Sequence, residues 1–241
     1  LVEALRTLLA GFPWQEIMAT QDPARGRKAV GGAVEYLRSP HTPGNRVAEG
    51  EATLGDRYRL LSAQLGRIWA FASGTQTLAH LRDEVRFFEE VRVWMAKYDA
   101  KEREANGQPI PDEILRVLRS AVAQATAAGD ITDIYDAAGI PRPSIQALNP
   151  DVLARLQKAD HPHLAIEALR DLLVEESQRA TRGNVVRQKA FSERIAELMY
   201  RYTNSQLTAA EVIAELAELA KEVAGEPDRG ARFDPPLDHR E

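Results

Sequence analysis

Five cations stand close together in the last third of the chain, Arg179, Arg182, Arg187, Lys189 and Arg194, and Glu193 is the only acid between Gln178 and Arg194. So dense a run of positive charge can hold a phosphate or an acidic partner surface. Arg179 and Arg182 also fall where a helix C-terminus favours cations, which accounts for those two without any ligand. Both readings stay open on sequence alone. Asp130, Asp133 and Asp136 recur every three residues and on a helix would drift along one side, where they could gather a divalent cation. The same spacing suits a helix N-terminus capped by Asp130, so no metal is assigned. His161 and His163 flank Pro162, and His80 stands alone in a helical stretch. Zinc needs three or four donors, so the pair around the proline reads as exposed residues of a helix start. No Gly-x-Ser-x-Gly nucleophile elbow occurs, nor the adjacent-aspartate boxes of a helical prenyl-transfer site. None of the six lysines follows a glycine, which removes the phosphate-cradling loop that ends in Gly-Lys-Ser/Thr.

The elements that carry these residues are helical. Hydrophobic residues make up 44% of 241 positions, enough for one large or two small cores. Aromatics are only 6%, while Ala, Leu, Glu and Arg dominate, a composition of packed helices rather than of a sandwich or barrel. We therefore expect an all-α, irregular multi-helix bundle. The absence of cysteine excludes disulfides and thiolate metal sites and suits a reducing cytoplasm. No run of about 18 apolar residues is present to span a membrane. A net charge of −5 argues against binding nucleic acid by global electrostatics, although a local basic face is still possible. The chain opens Leu-Val-Glu inside a helical pattern, which reads as a cut edge.

Periodicity places the helices. Asp22-Pro23 reads as a cap followed by Pro, starting a pattern that fades near Arg38. Residues 39–50, with Pro40, Pro43, Gly44 and Gly50, form a loop. Leu54, Tyr58, Leu61, Leu65, Ile68 and Ala72 then share one helix face. Thr75 caps a second helix striped by Leu78, Leu81, Val85, Phe88, Val91, Met95 and Tyr98, and the two are expected to pack antiparallel. Phe87 and Trp94 widen that stripe toward burial on two sides, while Trp69 looks exposed. Residues 101–108 are charged and read as a linker; Pro111, Asn149-Pro150 and His161-Pro162 each open a further helix, the last with Ile166, Leu169, Leu172 and Leu173 inward. The clearest pair is Val185 to Tyr202 and Ala209 to Val223, the second opened by the capping box Thr208-Ala-Ala-Glu211. This divides the chain into a helical lead-in at 1–50, a helical domain at 51–225 and a disordered tail at 226–241.

The words GNVVRQKAFSERIAELMYRYTN and TAAEVIAELAELAKEV resemble the C-terminal helical domain of the R subunit of type I restriction-modification enzymes. RDEVRFFEEVR at 82–92 and DIYDAAGIPRPSIQALN at 133–149 extend the similarity, in order, over about 61–223. The resemblance implies a parent chain that is an ATP-dependent endonuclease and DNA translocase, a type I site-specific deoxyribonuclease acting in DNA restriction. Within it this part would be non-catalytic, with ATP and Mg held upstream of residue 1. The one acid-x-Lys here, Asp99-Ala100-Lys101, sits at a predicted helix end without the strands a restriction-type nuclease site needs. The implied partners are the methyltransferase (modification) subunit and the motor lobes of its own chain, in the cytoplasm and away from membranes. Contact with DNA through the cluster from Arg179 to Arg194 is the secondary reading, and an unrelated helical regulator the third.

Overall fold

A computed structural model describes residues 1–72, 76–128, 150–182 and 184–226. Among them every regular element is an α- or 3-10 helix, so the fold is an all-α multi-helix bundle. The helices fall into two compact units, the first drawn from Leu1–Ala100 and Ile110–Ala137 and the second from Lys101–Pro109 and Ala138–Glu241. The expected aspartate triad at Asp130, Asp133 and Asp136, the cap at Thr75, and residues 227–241 of the expected tail lie outside the described residues.

The first unit contains α1 (Val2–Leu8), α2 (Trp14–Met18), α3 (Arg25–Arg38), α4 (Leu54–Ala72), the first part of α5 (Arg82–Ala105) and α6 (Asp112–Ala128). Its core is aromatic. Trp14 stacks on Phe87 with ring centroids 4.4 Å apart, and Phe88, Tyr58 and Tyr98 are almost fully buried. The Tyr58 hydroxyl donates to the Phe88 carbonyl at 3.0 Å, so the one polar atom of that ring is satisfied where water is excluded. Asp99 joins three helices by accepting from Arg59 Nε and Nη2, both at 2.8 Å, and from the buried Arg38. Arg59 and Tyr58 thus tie α4 to α5 as sequence periodicity predicts. A Cβ on Gly55 would lie 2.8 Å from the Leu37 carbonyl oxygen, so the close approach of α3 and α4 requires glycine there.

One stripe is only partly covered, and one local expectation is corrected. Ile68 shares the α4 stripe with Leu54, Tyr58 and Leu65, yet 57% of it is exposed, because cover over that stripe stops after Leu65. The charged stretch 101–108 is not all linker. Helix α5 continues to Ala105, where Ala105 is buried, Lys101 pairs with Glu175 and Glu102 with Arg170. Gly107, at φ 64°, then takes the left-handed turn that ends it.

The second unit contains α7 (Pro150–Gln157), α8 (Pro162–Ala180), α9 (Val185–Thr203), α10 (Ala209–Gly225) and the end of α5. Helix α8 is central, packing against α10, α9 and α7. Its residues from His163 to Leu169 are all buried, the pattern of a helix surrounded on every side rather than laid on a surface. Helix α10 contributes Val212, Ile213, Leu216, Ala217, Leu219, Ala220 and Val223 to this core. Each fully buried Leu, Ile or Val side chain contributes about 1.5–3 kcal/mol by leaving water. Both arms of the Thr208–Glu211 capping box are made: the Thr208 hydroxyl accepts from the Glu211 N–H at 3.3 Å, and Glu211 accepts from the Thr208 N–H at 2.7 Å.

Candidate interaction surface

The five cations singled out in the sequence lie at the end of α8, in the following turn and along α9. Asn184 caps α9 by accepting from the Arg187 N–H at 3.0 Å, which fixes where that helix starts and on which sides its side chains emerge. Four of the five cations meet carboxylates. Arg179 pairs with Glu176 at 2.6 Å, and Lys189 with Glu193 at 3.6 Å. Arg194 forms a two-pronged pair with Glu222 at 2.6 and 2.8 Å. Arg187 does the same with Glu226 at 2.9 and 2.7 Å, its guanidinium also standing 5.1 Å from the centre of the Phe191 ring. Glu226, the first residue of the expected tail, is thereby held at the end of α10. The pairing keeps the Glu222 carboxyl below its ordinary range, chiefly through the hydrogen bond from Arg194. Arg182 is exposed and has no ion-pair partner among the described residues.

Beside this cluster, α9 and α10 leave an open groove of ≈ 720 Å³. Its floor is Leu198 and Leu219 with the small residues Ala190 and Ala214, and its rim carries Glu193, Glu197, Glu215 and Glu218 against Arg194 and Arg201. Val185, Val186 and Tyr200, also on α9, are exposed at 75%, 78% and 66%. Val186 lies one turn before Ala190, so both fall on one edge of the helix. The first unit has an apolar surface of its own on α4, where Leu60 and Phe71 are exposed at 59% and 93% beside Ile68. Trp94 is half-buried and carries the Lys97 ammonium 4.0 Å from its ring centre, so it packs under a cation.

A second constellation was not legible as such. His163, Glu167 and Asp171 recur every four residues along α8 and are each buried, so His163 is not the exposed helix-start residue that its place beside Pro162 suggests. The His163 ring stacks on Tyr202 at 5.8 Å, and its Nε2 is 3.5 Å from Glu167. Asp171 accepts from Arg170 Nε and Nη2 at 2.9 and 2.7 Å, and Arg170 reaches Glu102 at 3.3 Å. Burial pushes the Asp171 carboxyl up to about 6 despite the guanidinium beside it, while Arg170 is held firmly protonated by Asp171, Glu167 and Glu102. The sequence signal was the repeat of polar residues at steps of four through the mostly apolar first half of that helix. Among the described residues no group of three or more His, Cys, Asp or Glu is arranged to hold a metal ion, and no helix is long and apolar enough to cross a membrane.

Comparison with known proteins adds a second kind of finding. A family model described as "Type I restriction enzyme HindI endonuclease subunit-like, C-terminal" matches residues 1–241. Over 185 residues the chain is 25% identical to a type I restriction enzyme MjaIXP endonuclease subunit of Methanocaldococcus jannaschii, a match covering 77% of this chain and 17% of that protein. It is also 25% identical over 139 residues to the type I restriction enzyme HindI endonuclease subunit of Haemophilus influenzae, covering 58% of this chain and 13% of that one. The chain thus spans less than a fifth of the length of either relative. No solved structure matches it.

Proposed function

This chain belongs to the family of C-terminal regions of type I restriction enzyme endonuclease subunits, and from that premise we propose that it is a non-catalytic docking module. In this reading it attaches an ATP-dependent, DNA-translocating endonuclease subunit to the methyltransferase that holds the recognition site, and it also meets the motor lobes of its own subunit. A motor that pulls DNA while anchored must pass force through its joint, and packed helices transmit force better than a flexible tether. The observation that carries the reading is the pairing at the basic cluster. Arg179, Arg187, Lys189 and Arg194 each face a carboxylate, so the charge a DNA backbone would seek is largely answered within the protein. The neighbouring surface offers apolar side chains with an acidic rim, which suits a protein. The test is light scattering on the endonuclease subunit, with and without this region, mixed with its cognate methyltransferase complex. Co-elution that requires the region and survives moderate salt supports docking; assembly that is unchanged without it refutes docking.

The second reading is backbone contact with DNA, favoured by one observation: Arg182 and Lys189 are exposed, and Arg182 has no ion-pair partner among the described residues. Several phosphate contacts make affinity fall steeply with salt. Under this reading Arg182→Glu, Arg187→Glu and Lys189→Glu together reduce both DNA affinity and its salt slope while leaving assembly intact.

A further inference from the structure

We infer that the outer face of α4 is an interface, and that its occupant is an amphipathic helix of the methyltransferase complex whose apolar stripe is edged by aspartates or glutamates. The inference rests on the docking reading above and adds to it a surface and the chemistry of the partner. Helix α4 is apolar on two sides. One side buries Leu54, Tyr58, Ser62 and Leu65 in the first unit. The other presents Leu60, Ile68 and Phe71, exposed at 59%, 57% and 93%. At about 100° per residue these three fall within about 80° of arc, on the side turned away from Tyr58 and Ser62. A helix that served only its own unit would be polar there, because a helix apolar on both sides is one that is covered on both sides. Exposed apolar residues are ordinary when scattered, but three on one face of one helix make a patch.

Arg57 and Arg67 interleave with the patch and give the charge of the occupant. They fall on the same side of the helix as Leu60, Ile68 and Phe71, three or four positions from one or another of them. Both are exposed, and neither guanidinium has an ion-pair or hydrogen-bond partner among the described residues. The other charges of α4 are satisfied within the fold. Arg59 pairs with Asp99 and Asp56 at 2.8 and 3.1 Å, and Asp56, the one acid of the helix, also accepts from the Thr53 hydroxyl at 2.7 Å. The outer face thus keeps two positive charges on a chain of net charge −5. Arginine and aromatic residues are the types enriched where proteins meet. A helix edged by carboxylates neutralises both guanidiniums and covers Leu60, Ile68 and Phe71, whereas a DNA backbone reaches the charges and leaves the patch in water. From Arg57 to Phe71 the face runs about 21 Å at 1.5 Å per residue, enough for a partner helix laid along it.

The experiment uses the whole endonuclease subunit and its cognate methyltransferase complex. Phe71→Ser removes the most exposed apolar group of the face, and Arg57→Glu with Arg67→Glu reverses its charge. Each variant is expected to weaken assembly at least tenfold with unchanged thermal unfolding, while Arg182→Glu, in the second unit, leaves assembly as it was. A photo-crosslinking group in place of Gln64, between Leu60 and Ile68 on the same face, is expected to capture an acidic amphipathic segment of the methyltransferase complex. Wild-type assembly retained by both α4 variants would overturn the site and leave docking standing. An equal loss from Arg182→Glu would overturn it too, since charge in general and not this face would then govern assembly. Assembly that does not require this region at all would remove docking and the site together. Crosslinking to a basic segment, to the motor lobes of the same subunit or to DNA would overturn the assigned occupant.

Discussion

Helices α8 and α9 are neighbours in one unit and invert the usual rule in opposite senses. Helix α8 buries His163, Glu167 and Asp171, while α9 leaves Val185, Val186 and Tyr200 in water. Residue type therefore predicts neither the inside of the first nor the outside of the second. The difference teaches where selection has accepted a cost. A buried charge is tolerated when its hydrogen bonds are made within the fold, as Arg170 makes them for Asp171. An exposed apolar side chain is ordinary on a protein surface when it stands singly, so it costs the fold little.

The contrast can be broken most severely from the inside. Arg170→Ala removes the partner of a carboxylate that is almost fully buried and leaves its charge uncompensated, with an expected loss of about 3–5 kcal/mol at neutral pH. Urea unfolding of the variant against the parent chain measures it. Asp171→Asn probes the same place through pH. The Asp171 carboxyl titrates near 6 in the fold, above its ordinary value of 3.8, so the fold favours its neutral form. Its contribution to stability is present below about pH 4 and is lost as pH rises through 6. The asparagine variant is expected to lack that decline, so the difference between variant and parent should change between pH 4 and 7 and stay flat above it. A pH series of unfolding midpoints checks this. From the outside the effect on stability is smallest: Val186→Asp with Tyr200→Ser should stay within about 0.5 kcal/mol of the parent. A large stability loss there would mean that these side chains serve the fold after all.

Much of the fold was legible. The start of α9 at Val185 and the capping box of α10 follow from residues a few positions apart, and the structure has both. The α4 stripe was read as residues that share one helix face, and the structure buries that face only as far as Leu65, leaving Ile68 exposed. Periodicity tells which residues share a face and is silent on how far along the helix a neighbour covers it. The helix boundary near Lys101 was missed for a related reason. The charges of Lys101 and Glu102 look like loop composition, but they pair with Glu175 and Arg170 more than sixty positions later.

The candidate surface was only half legible. The five cations were found, and their density was visible in the chain, but Glu222 and Glu226, which face Arg194 and Arg187, lie 28 and 39 residues further on. A count of charge over a short window cannot include them.

By itself the sequence determined the helical class, the places where several helices begin, and membership in a restriction-subunit family, because caps, prolines, apolar periods and family words are all written in short stretches of chain. The tertiary structure decided which cations are neutralised, which polar residues of α8 are enclosed and which apolar residues of α9 are left outside. Those outcomes depend on Coulomb and solvation energies at distances of a few ångströms, and only folding brings residues so far apart in the chain within that range.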